Sequence, residues 1–146
     1  MIPDNCVQVV NHKKIKVEEC GKKVIVNNSD QLKFQVTQID GCALKNTLAA
    51  DWMISKGQRH LIIELKGKDV AHAAKQIWAT ATFLVQDCNI KKNFSALVVA
   101  RQYPKATTAV QKAQISFSKE FRGPLHVVTK NCEYDFEKVT SFKGPL

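Results

Sequence analysis

The spacing of apolar residues changes several times along the chain, and each change predicts an element. Ile15 to Cys20, Val24 to Asn27 and Leu32 to Ile39 alternate or are rich in β-branched residues. Polar connections at Gly21-Lys22-Lys23 and Asn27-Asn28-Ser29-Asp30 separate them, so the pattern predicts an antiparallel meander. Asp40-Gly41 marks a turn, and Cys42 to Ala50 reads as a short helix or an irregular crossing. Asp51 to Ser55 and Arg59 to Lys66 read as two further strands joined at Lys56-Gly57.

The period then lengthens. Val70, Ala73, Ala74, Ile77, Ala81, Leu84 and Val85 recur at helical spacing behind Asp69, a favourable N-cap, and the helix should end near 86–89. Phe94 to Ala100 is apolar on both faces. Pro104 breaks the chain, Thr107 to Phe121 predicts a second helix, and Leu125 to Thr129 another strand. The tail after Asn131 is polar and predicts weak pairing or loose packing. Strand, helix and strand across 59–101 imply a right-handed crossover and a parallel pair at the sheet centre. The fold class is α/β, a mixed central sheet with flanking helices in one domain spanning 1–146.

One residue breaks this pattern. Leu61 to Leu65 reads as a strand buried on both faces, yet it contains Glu64, and Lys66 follows two residues later on the same side. A buried carboxylate and ammonium are costly to desolvate, so something must compensate them. A metal-and-phosphate site would do so.

The 146 residues are 45% hydrophobic and 24% charged, which argues against disorder. No apolar run approaches the ~20 residues of a membrane helix. The opening Met1-Ile2-Pro3-Asp4-Asn5-Cys6 lacks a basic start followed by an apolar core, so the expectation is a cytoplasmic protein. Five cysteines at wide, irregular intervals with no CxxC pair argue against structural zinc, and reduced, mostly buried thiols are expected. The net charge of +9, from 22 basic and 13 acidic residues, favours a polyanionic partner, nucleic acid before an anionic membrane. No basic amphipathic helix with a wide apolar face supports the membrane alternative.

Asp51 on one strand, Glu64-Leu65-Lys66 on the next, then a capped helix and a parallel strand resemble the PD-(D/E)XK nuclease superfamily. Locally, Asp40-Gly41-Cys42, Asp51-Trp52 and 64–73 look like a small uncharacterised bacterial branch of it. The resemblance covers 40–101 by motif. It implies a restriction-endonuclease-like fold and Mg²⁺-dependent hydrolysis of phosphodiester bonds in nucleic acid, DNA in preference to RNA, with Mn²⁺ as a substitute. It implies that Asp51, Glu64 and the Leu65 carbonyl hold the ion, that Lys66 activates water or neutralises phosphate charge, and that Gln76 supports the site. Lys68 and Arg101 would meet the nucleic-acid backbone. Hard carboxylate oxygens suit Mg²⁺, which polarises phosphate and acidifies water. The residue before Asp51 is alanine rather than proline, and Glu18 and Glu19 are the candidates for a further acid, so one metal or two stays open. In so small a chain, specificity would come from substrate shape, a homodimer or a partner protein.

Plainer readings compete. Glu64 and Lys66 could form an ion pair on a sheet edge, Asp51 could be a turn residue, and Gln76 a solvent-facing one. Asp69 reads as a cap rather than a ligand, and Arg101 as either a phosphate contact or a loop cap. His12, His60, His72 and His126 read as surface or structural, and Trp52 and Trp78 as packing residues. A Cys42/His nucleophile has no activating motif. The functional alternative is a catalytically inactive protein of the same fold that binds nucleic acid or assembles with proteins, and after it a protein-interaction module.

Overall fold

The computed structural model describes residues 2–67, 69–102, 108–130 and 132–146, with the side chains of Lys66 and Cys132 outside that description. The described residues form nine strands: β1 (Val7–Val10), β2 (Lys14–Glu19), β3 (Lys22–Asn27), β4 (Phe34–Gln38), β5 (Trp52–Lys56), β6 (Arg59–Gly67), β7 (Phe94–Ala100), β8 (Leu125–Val128) and β9 (Cys132–Asp135). The helices are α1 (Val70–Gln86), α2 (Thr108–Phe121) and a single turn, α3 (Phe136–Val139). Six strands make a mixed sheet in the order β1-β4-β5-β6-β7-β8, antiparallel up to β6 and parallel from β6 to β8. The sequence-predicted α/β class and the central parallel pair are present. Pro104 and Thr107 lie outside the described residues.

The main sheet is covered on both faces, which explains its two-sided apolar strands. On one face Ile62, Phe94 and Val98 pack with Ile77, Ala81 and Leu84 of α1 and with Phe117 and Phe121 of α2. On the other, Ile54, Leu61, Ile63, Leu65, Leu97 and Val99 pack against Ile15, Val17, Val24 and Val26. Each such side chain, fully removed from water, stabilises the fold by roughly 1.5–3 kcal/mol. Side chains of β6 alternate between these two cores, so Glu64 shares the α1-facing side with Ile62.

Three expectations are corrected. The early strands are not one meander: β2 and β3 pair as a hairpin and form a second sheet with β9, while β4 pairs with β1 and β5. Asn28 turns the chain out of the hairpin, donating to the His12 and Leu32 carbonyls and accepting from the Leu32 amide. The tail is not loose either. Strand β9 runs parallel to β3, and Tyr134, Phe136 and Val139 are buried in the second core. Lys56 and Arg59 both pair with Glu137, tying α3 to the β5–β6 hairpin.

The third correction concerns the thiols. Cys6 and Cys42 are joined in a disulfide, which fastens the start of β1 to the Asp40–Leu44 turn, and Cys20 is exposed. Pairing of β1 with β4 brings the two cysteines together, which their spacing of 36 residues could not reveal. A bond closing a loop of that length lowers the entropy of the unfolded chain, worth about 3–4 kcal/mol. Reductant should therefore lower the unfolding free energy by about that much in urea titrations. Cys42→Ser should show the same loss and no further response to reductant.

A second buried pair affects acid stability. Ser55 and His60 face each other across β5 and β6 and share a hydrogen bond of 2.7 Å between Oγ and Nδ1, and the His60 ring packs against that of Phe94. Exposures of 2% and 8% leave no path for a substrate, so this is packing rather than a nucleophile and base. Burial lowers the His60 pKa from 6.5 to about 4. The unfolded state then binds more protons between those values, so stability is complete above pH 6.5 and falls as pH drops towards 4. Urea midpoints should record a loss of about 3 kcal/mol over that window, flattened in His60→Gln.

Candidate functional site

Asp51 precedes β5 and is held from both sides by backbone. Its amide donates to the Ile63 carbonyl at 3.2 Å and its carbonyl accepts from the Ile39 amide at 3.0 Å. Its Oδ2 accepts from the Leu65 amide at 2.8 Å, one residue past Glu64 on the neighbouring strand. Register then puts the Asp51 carboxyl beside that of Glu64, which is only 6% exposed. A turn residue would not be aimed across a strand in this way.

Helix α1 supplies the clamp. Gln76 Nε2 donates to the Ala49 carbonyl at 3.1 Å. One turn later, Thr80 Oγ1 accepts from the Ala50 amide at 2.8 Å and donates to the Gln76 carbonyl at 2.9 Å. These two side chains hold the segment that aims Asp51. Gln76 also interacts with Glu64, so it belongs to the cluster and is not solvent-facing. Thr80 was missed in the sequence. Its signal is a polar residue on the apolar stripe of α1, at 0% exposure between Ile77 and Leu84. The helix itself starts where expected, with the Asp69 carboxylate accepting from the Ala71 and His72 amides as an N-cap.

The two carboxyls do not ionise independently. Burial, then the Asp51 charge and a hydrogen bond with Asp51, push Glu64 up to about 9, against a weaker downward pull from Gln76. Burial raises Asp51 as well, the Leu65 amide opposes it, and the charges of Glu19 and Asp40 add to the rise. At neutral pH the pair therefore holds a proton in place of a second negative charge. Among the described residues, Glu64 Oε1 and Trp52 Nε1 are the buried side-chain atoms without a hydrogen-bond partner. An orphaned buried carboxyl oxygen costs stability unless something outside the chain completes it.

The remaining candidates are placed as follows. Strand β6 lies between β5 and β7, so Glu64 is not on a sheet edge. The β6–β7 register slips between Leu65 and Gly67, leaving Lys66 as the bulged residue at the carboxyl end of the strand. The side chain of Lys66 and all of Lys68 lie outside the described residues. Arg101 is exposed just past β7, at the same end of the sheet but with no part in the Asp51–Glu64 interactions. Among the described residues, no three His, Cys, Asp or Glu side chains approach closely enough to hold a metal ion. Among the described residues, Asp51 and Glu64 are the two acidic side chains brought together here. No described helix is long and apolar enough to cross a membrane.

In comparisons with known proteins, no family model matches the chain, and no curated protein or solved structure matches it.

Proposed function

We propose that this protein hydrolyses phosphodiester bonds in nucleic acid, DNA in preference to RNA, at a magnesium site of the PD-(D/E)XK type on a restriction-endonuclease-like fold. The observation that carries the reading is half-buried Asp51 beside buried Glu64, two carboxyls that share a proton and leave one oxygen unpartnered among the described residues. Hard, converging carboxylate oxygens fit Mg²⁺ or Mn²⁺, and a divalent ion would replace the shared proton. Asp51, Glu64 and the Leu65 carbonyl would hold it. When bound, the ion supplies Lewis-acid stabilisation of phosphate charge and acidifies a water ligand.

The chain's own residues do the rest. Gln76 and Thr80 fix the Ala49–Asp51 segment, and the Leu65 amide fixes the Asp51 carboxylate, so the acids need no reorganisation when substrate arrives. Lys66, on the bulge, would bring a positive charge to the phosphate or orient water. Arg101 and Lys68 would bind the backbone by counterion release. Two acidic side chains without a third among the described residues favour a second reading, a nucleic-acid-binding or assembly protein that has kept the fold without catalysis. A nucleic-acid substrate suits a cytoplasmic site of action, where the Cys6–Cys42 bond would be open to reduction.

The test is calorimetric titration with Mg²⁺ and Mn²⁺, wild type beside Glu64→Ala, with cleavage assays of the same samples on single-stranded, double-stranded and branched DNA. Metal binding lost in the variant, with metal-dependent cleavage by the wild type, supports the nuclease. Salt-sensitive binding that survives chelation and the Glu64 change, without cleavage, selects the second reading.

A further inference from the structure

Helices α1 and α2 do not close fully against each other. Ala74 on one and Ala113 on the other are too small to fill the space between them, and a groove of about 330 Å³ remains, floored by buried Phe117. Trp78 lines it with 39% of its surface exposed, its ring packed edge-on against Phe121 at 4.9 Å. Lys75 stands one turn before Trp78 on the same helix, and Lys112 faces it from α2. A partly exposed aromatic between two lysines is the arrangement that takes unpaired nucleotides: the base lies on the ring and the flanking phosphates meet the cations. The volume sits at the small end of ligand sites, roughly 300–1,000 Å³, and a partner helix ~10–12 Å across would not enter it.

We infer that the α1–α2 groove is an accessory binding site for single-stranded nucleic acid, with Trp78 stacking on a base and Lys75 and Lys112 contacting the adjacent phosphates. The lining holds few hydrogen-bonding groups, so the site is indifferent to base identity. Trp78 and Gln76 are two residues apart on α1, about 200° around the helix. The groove therefore lies across α1 from Asp51 and Glu64, and anchors a strand whose other part is free to reach the carboxylates. The substrate class rests on the nucleic-acid reading of that site; the groove's geometry does not.

Anisotropy of a labelled 15-nucleotide oligothymidylate, in EDTA at low salt, tests the inference. Trp78→Ala should weaken binding about tenfold and Trp78→Phe much less. Lys75→Glu/Lys112→Glu should weaken it further and reduce the salt slope by about 1.4. These two lysines are exposed, so that variant remains informative if Trp78→Ala misfolds by circular dichroism. Lys13→Glu/Lys16→Glu makes the same charge change beside and on β2 and should cost threefold or less. Equal losses in the two lysine variants would show attraction by overall charge and overturn the site. So would unchanged binding by folded Trp78→Ala, or displacement of the oligonucleotide at equal concentration by a leucine- and glutamate-rich peptide. Because binding is read without metal, absence of cleavage leaves the inference standing. Cleavage with groove-independent binding removes it and spares the proposed activity.

Discussion

Glu64→Gln should make the metal-free protein more stable at pH 7, by about 3 kcal/mol, although the residue sits in the middle of the sheet. The expectation follows from where its proton is held. Glu64 titrates near 4.5 in the unfolded chain but is pushed up to about 9 in the fold, by burial first and then by Asp51. A raised folded pKa means that stability is fully present below 4.5 and is lost as pH rises towards 9. At pH 7 the unfolded carboxyl has ionised and the folded one has not. Two and a half units of mismatch at about 1.4 kcal/mol each give the figure. Glutamine carries no such penalty, and its amide can donate to Asp51 as the protonated acid does.

Urea titrations of the two proteins should coincide near pH 4.5 and separate progressively up to pH 9. Magnesium should narrow or reverse the order, because only the wild type gains the free energy of ligand binding to the folded state. Identical stabilities from pH 4.5 to 9 would show that Glu64 is neither buried nor proton-linked as described. A stability sacrificed at one buried position is the reason Glu64 is the candidate put to test.

The central elements were legible because local pattern and final environment agree. Phe94–Ala100 is apolar at every position but Ser95 and is buried at every position; α1 repeats at helical spacing behind a capping aspartate. Glu64 stood out because it interrupts such a run, and Asp51 and Gln76 followed from the motif order. What failed depended on partners distant in sequence. Strand β1 is four residues long and gains its meaning only from β4. In the tail, Tyr134 and Phe136 alternate as in a strand, but Val139 follows at helical spacing, and the change of period among Glu133, Asp135, Glu137 and Lys138 hid both. Nothing local separates a β3–β4 meander from two sheets; the Asn28 side chain and the β9 pairing decide it. The Ser55–His60 bond and the Cys6–Cys42 bond likewise require register that no spacing rule supplies.

Asp51→Asn and Lys66→Ala should each reduce metal-dependent cleavage by about a hundredfold to a thousandfold, the usual cost of losing one preorganised charge at a reacting phosphate. The two should differ in how they fail. Asparagine keeps an oxygen to accept from the Leu65 amide, so the fold is preserved while the anionic ligand is lost. An alanine there would leave that part-buried amide unpaired, at about 1–3 kcal/mol, and confuse loss of stability with loss of chemistry. Asp51→Asn should therefore lose calorimetric Mg²⁺ binding together with activity. Lys66→Ala leaves both carboxylates in place, so the ion should still bind and only the cleavage rate should fall. Activity near the wild-type level in either variant would remove that residue from the proposed mechanism. Loss of activity with metal binding retained in both would move the ion elsewhere, since the Asp51–Glu64 pair cannot hold it unaided by the Asp51 charge.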